Sequence, residues 1–194
     1  MPLDLLLLGP PGAGKGTQAK RISAERGTPQ IATGDMLRAA MANGTELGQR
    51  VKPIYDRGDL VPDDLMIEII RERLSEDDTA AGFILDGFPR TIPQAEALDA
   101  MLQELGRRLS CVLEFQLDPD DAFERLVGRG EEEQRTDDQP ETIRHRLQVY
   151  AAQAEQLIAY YLAKGILVGI DAGRSVDEVH AEVEKVLEHA EQRA

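Results

Sequence analysis

A glycine-rich segment with a lysine near its end carries the most distinctive chemistry in this sequence. It runs Gly9-Pro10-Pro11-Gly12-Ala13-Gly14-Lys15-Gly16-Thr17 and directly follows the apolar run 3–8. Glycines let the backbone adopt positive φ and bring its N–H groups close to an anion, and a helix opening near Lys15 adds further N–H groups. The segment matches G-x-x-x-x-G-K, although Gly16 occupies the usual Ser/Thr position and Thr17 follows it. An ordinary glycine-rich turn is the alternative, but the preceding strand favours a nucleoside triphosphate site.

A second polar segment, Asp86-Gly87-Phe88-Pro89-Arg90, follows the apolar run 83–85. A carboxylate at the end of a buried strand beside a phosphate loop can hold Mg²⁺ through water, because Mg²⁺ keeps much of its hydration. Arg90 offers a forked donor to phosphate oxygens. A single arginine is usually a solvated surface residue, but its place directly after this strand favours a binding role.

Short apolar segments alternate with helical ones along most of the chain. Strands are expected over 3–8, 30–32, 82–86, 111–117 and 166–170. Helices are expected over 15–25, 93–107, 119–127, 141–164 and 176–189. This alternation predicts an α/β fold with a doubly wound, five-stranded parallel sheet flanked by helices, in which ligands bind at the carboxyl ends of the strands.

Residues 33–74 interrupt this alternation. They contain three helical segments (34–43, 46–57 and 63–74) and no convincing strand, so we expect an inserted helical unit. The acidic run Glu131-Glu132-Glu133 is interpreted as a solvated loop.

Composition narrows the class of protein. A length of 194 residues fits one α/β domain, and a net charge of −14 argues against a nucleic-acid partner. No run of 18 apolar residues and no basic leader are present, so we expect a cytoplasmic protein with no membrane partner. The single cysteine, Cys111, excludes a disulfide within the chain and a cysteine-based zinc site. It is expected to be a buried, inert thiol.

Together these motifs resemble those of the adenylate kinases, within the nucleoside monophosphate kinase family. Residues 9–17 resemble the family's phosphate loop, including the glycine after the lysine. Residues 33–38 and 86–94 resemble its two monophosphate-site signatures, and residues 135–138 with 143–147 resemble the segment that closes its lid. The resemblance implies a P-loop core with a helical AMP-binding insert and a short lid. It also implies reversible, Mg²⁺-dependent transfer of a phosphoryl group from ATP to AMP, giving two ADP.

The resemblance assigns roles to individual residues. The ATP phosphates would contact Gly12, Ala13, Gly14, Lys15, Gly16 and Thr17, and Arg129 and Arg174 would border ATP. AMP would contact Thr33, Arg38, Asp59, Leu60, Val61, Gly87, Phe88, Pro89, Arg90, Gln94, Arg135 and Arg146. The catalytic, charge-neutralising set would be Lys15, Arg38, Arg90, Arg129, Arg135 and Arg146. Phosphoryl transfer depends on positioning and charge neutralisation, and the AMP phosphate needs no general base.

Other polar residues are expected to have minor roles. Asp137 and Asp138 are interpreted as lid latches to ribose or to arginines rather than as Mg²⁺ ligands. Arg144 and the three histidines (His145, His180 and His189) are expected at the surface, and the histidines show no ligand spacing.

The lid is expected to be short, because only residues 130–134 separate Arg129 from Arg135. That length leaves no room for a zinc-binding lid, so we expect no zinc and no structural metal. The predicted boundaries give one domain with a core (1–31, 62–127 and 139–194), an AMP-binding insert (32–61) and a lid (128–138).

Two alternatives remain open. One is a UMP/CMP kinase, because such kinases share the short lid, and the other is an ATP-binding factor without catalysis. Thr33 and Gln94 favour AMP, since a glutamine offers the donor and acceptor that adenine N1 and N6 require. The retained cations favour catalysis. The expected partners are therefore ATP, AMP and ADP, bound by a monomer.

Overall fold

A parallel five-stranded sheet forms the centre of the computed structural model, which describes residues 2–133 and 135–192. Its strands are β1 (Leu3–Leu8), β2 (Gln30–Ala32), β3 (Gly82–Asp86), β4 (Cys111–Gln116) and β5 (Leu167–Asp171). They lie in the order β2-β3-β1-β4-β5, with every pairing parallel. The predicted α/β fold class is therefore confirmed.

Helices surround this sheet. In the described part of the chain they are α1 (Lys15–Arg26), α2 (Thr33–Ala42), α3 (Glu46–Arg57), α4 (Asp63–Leu74), α5 (Ile92–Glu104), α6 (Pro119–Glu133), α7 (Pro140–Ala163) and α8 (Val176–Gln192). Two 3-10 turns, Asp77–Thr79 and Thr136–Asp138, connect neighbouring elements. None of these helices is long and apolar enough to cross a membrane.

The apolar run at the start of the chain is buried on both faces of the sheet. Leu6 and Leu8 of β1 pack into a cluster with residues of α2 to α5 and α7. Leu5 and Leu7 point the other way and pack against α1 and α8. A strand covered by helices on both sides has no polar face, which explains a near-continuous run of leucines instead of alternation.

The sequence placed the end of α6 too early. This helix was predicted over 119–127, but it continues to Glu133. The acidic run 131–133 is therefore helical and not a loop, although its side chains are exposed as expected. Glutamate favours helices, and Gly130 lets the turn pack closely, because a Cβ there would lie 2.9 Å from the Asp138 carbonyl oxygen.

The histidine predictions are partly wrong. His180 is buried, with 7% of its surface exposed, and its ring contacts Gln18 and Glu25. His145 is half-buried and contacts Asp59. His189 is exposed, as predicted.

The expected surface arginine and buried thiol are found. Arg144 is exposed with its guanidinium 4.8 Å from the Phe123 ring centroid. Cys111 is buried, and burial raises the pKa of its thiol to about 11.

Candidate active site

A cavity of about 640 Å³ opens at the carboxyl ends of β1 and β3. Its walls come from the phosphate loop, α2, the turn after β3, α6, α7 and the segment before α8. Among the described residues, nine basic side chains line it (Lys15, Lys20, Arg38, Arg90, Arg125, Arg129, Arg135, Arg146 and Arg174), against three acidic ones (Asp35, Asp86 and Glu133). In a chain of net charge −14, this cavity is positive and suited to a polyanion.

The phosphate loop needs glycine at Gly12 for two reasons. Its φ of +86° is unfavourable for other residues, and a Cβ there would lie 2.8 Å from the Ala122 carbonyl oxygen. Helix α1 begins directly after Gly14, so its first N–H groups are available to an anion. The Ala13 N–H, in contrast, donates to the Pro10 carbonyl oxygen at 3.2 Å and serves the loop itself.

Lys15 bends back over this loop. Its Nζ donates to the carbonyl oxygens of Gly9 and Pro10, both at 2.8 Å. Burial lowers the pKa of Lys15 to about 8, and the nearby guanidinium groups, first that of Arg90, add to the effect, while Asp86 opposes it. The charge of Asp86 is thus too small an effect to offset burial, and an anionic ligand would supply the additional negative charge that stabilises the protonated amine.

Asp86 lies alongside the phosphate loop at the end of β3. A Cβ on Gly16 would be 3.6 Å from Asp86 Oδ2, so the glycine after the lysine leaves room beside this carboxylate. Within the described chain, the carboxylate accepts no hydrogen bond. These free oxygens fit Mg²⁺ held through water, because Mg²⁺ prefers oxygen ligands and retains most of its hydration shell.

Two of the predicted cations are held by the turn between α6 and α7. Arg129 donates to both carboxylate oxygens of Asp138, at 2.7 and 2.8 Å. Arg146 reaches Asp138 at 2.8 Å and Asp137 at 2.8 Å. The Asp138 side chain is fully buried; burial raises its pKa, but the two arginines outweigh this and hold it below its usual value. The two acids are thus latches to arginines in this structure.

Arg38 and Arg90 enter the cavity from the AMP side of the predicted site. Arg38 hydrogen-bonds to the Tyr55 hydroxyl and to Asp35. Arg90 Nε donates to the Gly87 carbonyl oxygen at 2.8 Å. Burial lowers the pKa of Arg90, and the nearby Arg146 lowers it further. A bound anion would therefore stabilise the charged form of Arg90, as it would that of Lys15.

Arg135 and Arg174 lie at the outer wall. Arg135 pairs with Glu133 at 2.5 Å, and Arg174 pairs with Asp171 at 3.3 Å and with Glu182. These partners are all partly exposed. Such surface pairs are worth at most about 1 kcal/mol each, so a phosphate can replace them at little cost.

A smaller pocket of about 40 Å³ adjoins the main cavity. The predicted AMP residues that line it are Thr33, Asp59, Leu60, Val61, Gly87, Arg90 and Gln94. Leu60, Gly87 and Arg90 border both cavities. The two spaces are therefore neighbouring compartments of one site.

The Gln94 side chain in this pocket has a fixed orientation. Its Oε1 accepts the Arg90 backbone N–H at 2.7 Å, and its Nε2 donates to Asp63 Oδ1 at 2.7 Å. Asp63 Oδ1 also accepts from the Thr91 hydroxyl at 3.0 Å. One amide N–H and one lone pair of Gln94 remain, which is one donor and one acceptor for a ligand.

Most predicted site residues line these two cavities, but two lie outside them. Ala13 and Phe88 are almost fully buried in the core. The sequence also missed Tyr55, which holds Arg38, and Asp63, which holds Gln94. No motif pointed to either residue, because each acts on a partner that is distant in the sequence.

Comparisons with known proteins agree with this geometry. A family model described as adenylate kinase matches residues 7–166. An adenylate kinase of Caulobacter vibrioides is 50% identical over 186 residues, covering 96% of this chain and 97% of the relative. Adenylate kinases of Thermus thermophilus (49% over 183 residues; 94% of this chain, 96% of the relative) and Archaeoglobus fulgidus (45% over 213; 96% and 98%) are also similar. This chain belongs to the adenylate kinase family.

Proposed function

We propose that this protein is an adenylate kinase that transfers the γ-phosphoryl group of ATP to AMP, reversibly and with Mg²⁺, to give two ADP. The observation that carries the proposal is the positive cavity between the phosphate loop and the pocket at Gln94. Such a cavity suits two nucleotides whose phosphates meet in the middle. The residue roles inferred from the sequence are part of this proposal.

On the ATP side, the loop Gly12–Thr17 and the start of α1 would bind the phosphates through backbone N–H groups. Lys15 would follow the transferred group, and Arg129 and Arg174 would border the nucleotide. Asp86 would hold the water shell of Mg²⁺, and the ion would supply positive charge to the triphosphate.

On the AMP side, Thr33 and Gln94 would orient the base, while Arg38 and Arg90 would hold the phosphate. An oxygen of the AMP phosphate attacks the γ-phosphorus, and the bond to the β,γ-bridging oxygen breaks. The electron pair leaves with ADP. No proton has to be removed from the nucleophile, so no general base is needed.

Arg135 and Arg146 would bridge the two nucleotides around the moving group. Arg146 is held by Asp137 and Asp138 in the free protein. Phosphate oxygens would replace these carboxylates as partners of Arg146. The guanidinium group that pairs with the two acids in the free protein would then stabilise charge in the transition state.

We further propose that the insert (32–61) and the lid (128–138) move against the core (1–31, 62–127 and 139–194). A monomer is proposed because one chain supplies all the proposed binding groups. The cytoplasm is the proposed compartment, because free adenine nucleotides are its substrates.

A coupled assay of ATP against AMP, UMP, CMP and GMP tests the acceptor. We expect AMP to be preferred by at least about a hundredfold, because a base that leaves Gln94 unpaired is rejected strongly. Gln94→Leu should raise the KM for AMP more than the KM for ATP. Gln103→Leu is the matched control, since Gln103 is exposed on the same helix. Comparable turnover of UMP or CMP would instead identify a pyrimidine nucleotide kinase, and no turnover at all a non-catalytic ATP-binding protein.

A further inference from the structure

Three potential metal ligands meet between α1 and α8, outside both nucleotide cavities. They are Glu25 near the end of α1 and His180 and Glu184 on α8. One ligand atom from each lies within 4.8 Å of the others. The two α8 residues are four positions apart and therefore share one face of that helix.

The proton on the His180 ring can be assigned from its neighbours. Gln18 Nε2 donates to the Val176 carbonyl oxygen at 2.9 Å, so the amide oxygen of Gln18 faces the histidine. That oxygen lies 2.9 Å from His180 Nδ1. Because an amide oxygen can only accept, Nδ1 carries the proton.

His180 therefore directs its other nitrogen at a carboxylate. Nε2 lies 3.0 and 3.1 Å from the two oxygens of Glu25. In the neutral ring this nitrogen is a lone pair facing negative charge, which is repulsive unless a cation lies between them. Either a proton or a metal ion can fill that role.

The surroundings of Glu184 favour a metal ion over a proton at this position. A proton on Nε2 would satisfy His180 and Glu25 but would leave Glu184 unchanged. Glu184 Oε2 accepts from Arg26 at 2.6 Å, whereas Oε1 is shielded from solvent and has no hydrogen-bond partner among the described residues. An unpaired buried carboxylate oxygen is costly. A metal ion bound by all three side chains removes that cost.

We propose that Glu25, His180 and Glu184 bind one divalent transition-metal ion of the Zn²⁺ class. Imidazole with two carboxylates suits such an ion, with water completing the tetrahedron. Gln18 and Arg26 orient the ligands from outside, as second partners of metal ligands commonly do. Ligand atoms around Zn²⁺ lie roughly 3.4 Å apart, whereas Glu25 lies 3.0 Å from His180 Nε2 and the cluster spans up to 4.8 Å. The side chain of Glu25, which is half exposed, therefore shifts slightly on binding to make room for the ion.

This proposal replaces the expectation of no structural metal. That expectation rested on the single cysteine and the short lid, whereas these ligands are brought together by the fold from residues 155 positions apart. The ion would fasten α8 to α1. Helix α1 begins at the phosphate loop, and Val176 at the start of α8 lines the main cavity. A metal ion that fixes α8 to α1 would therefore stabilise the ATP side of that cavity.

The test measures Zn²⁺ binding to the full chain, without a histidine tag, stripped by chelator and free of nucleotide. Titration calorimetry should give one Zn²⁺ per chain, and the melting temperature should rise by roughly 5 °C at about a hundredfold excess over Kd. Mg²⁺ at the same concentration should leave the melting temperature unchanged. Co²⁺ should give a visible absorption spectrum typical of tetrahedral nitrogen and oxygen ligands.

Variants separate this site from others. Glu25→Gln and His180→Gln should weaken Zn²⁺ binding at least about tenfold. His189→Gln should leave it unchanged, because His189 is exposed on the same helix and bonds to the Lys185 carbonyl oxygen. If His180→Gln does not fold, the half-exposed Glu25 still permits the test. No Zn²⁺-dependent rise in the wild type, or an equal rise in Glu25→Gln, would overturn the proposal.

Discussion

The Lys15 amine is buried beside several guanidinium groups, and its pKa depends on the charges around it. Among the described residues, the amine hydrogen-bonds only to carbonyl oxygens, and burial together with nearby guanidinium groups lowers its pKa to about 8 from the usual 10.5. A bound triphosphate supplies negative charge and should raise that pKa again. Binding of ATP is therefore expected to take up a proton wherever the free amine is neutral and the bound amine is charged.

We predict proton uptake that grows as the pH rises through 8 and approaches one proton at about pH 9. Above about pH 8, the affinity for ATP should fall by up to tenfold per pH unit, because the free amine must first be protonated. Calorimetry in buffers of different ionisation enthalpy measures the uptake. Lys15→Arg should abolish it, since arginine stays charged, whereas Lys52→Arg at an exposed ion pair should not. Equal uptake by wild type and Lys15→Arg would contradict the assignment.

The sequence predicted residues whose chemistry is local and missed those whose partners are remote. Lys15, Asp86 and Arg90 follow strands within recognisable segments, and all three line the main cavity. Asp63 could not be found this way, because it acts on Gln94, 31 positions further along. His180 was placed at the surface for the same reason, since its partners belong to α1.

Among the elements, the pair of helices α6 and α7, which the turn 136–138 connects, differs most from the sequence prediction. Periodicity ended α6 at residue 127, because Gly128 and Gly130 weaken the helical pattern. The structure continues the helix to Glu133, since Gly130 permits close packing on Asp138. The strands and the other helices were placed within a few residues, because covered strands and amphipathic helices have strong periodic patterns.

Under the proposed function, Asp138 in this turn competes with phosphate for Arg129 and Arg146. Asp138→Asn should lower the melting temperature of the free protein, because Arg129 and Arg146 lose a buried partner, at a cost of about 1–3 kcal/mol. The same change should tighten ATP binding, because the arginines no longer have to be released.

Thermal unfolding and calorimetry with and without ATP measure both effects of Asp138→Asn. Asp177→Asn, at an exposed residue that pairs with Arg21, should change neither quantity. Weaker ATP binding by Asp138→Asn would show that the carboxylate orients the arginines for ATP instead of competing for them.

At the scale of the whole molecule, a strongly acidic chain concentrates its cations in one cavity. These cations stand on separate parts of the fold: Arg38 on α2, Arg90 after β3, Arg129 on α6 and Arg146 on α7. Under the proposed function, no single part can neutralise the transferred phosphoryl group alone. Both nucleotides must then be bound before the set is complete, which also excludes water as the competing acceptor.

A molecule that spans both nucleotide sites should therefore bind much more tightly than either nucleotide. Two adenosines joined by five phosphates would fill both compartments, and linking the halves makes the second contact intramolecular, a gain of about 10² to 10⁴ in affinity.

ATP hydrolysis without AMP should be slower than transfer by several powers of ten, because the closed arrangement does not form. Arg135→Ala should lower kcat by about a hundredfold or more with ATP binding nearly intact, since this arginine would act on the transition state. Calorimetry and a coupled assay measure these quantities, with Arg144→Ala as the control at an exposed position on α7. Loss of ATP affinity with kcat preserved in Arg135→Ala would make Arg135 a ground-state binder, and rapid ATP hydrolysis without AMP would mean that the cavity completes its charge set with one nucleotide.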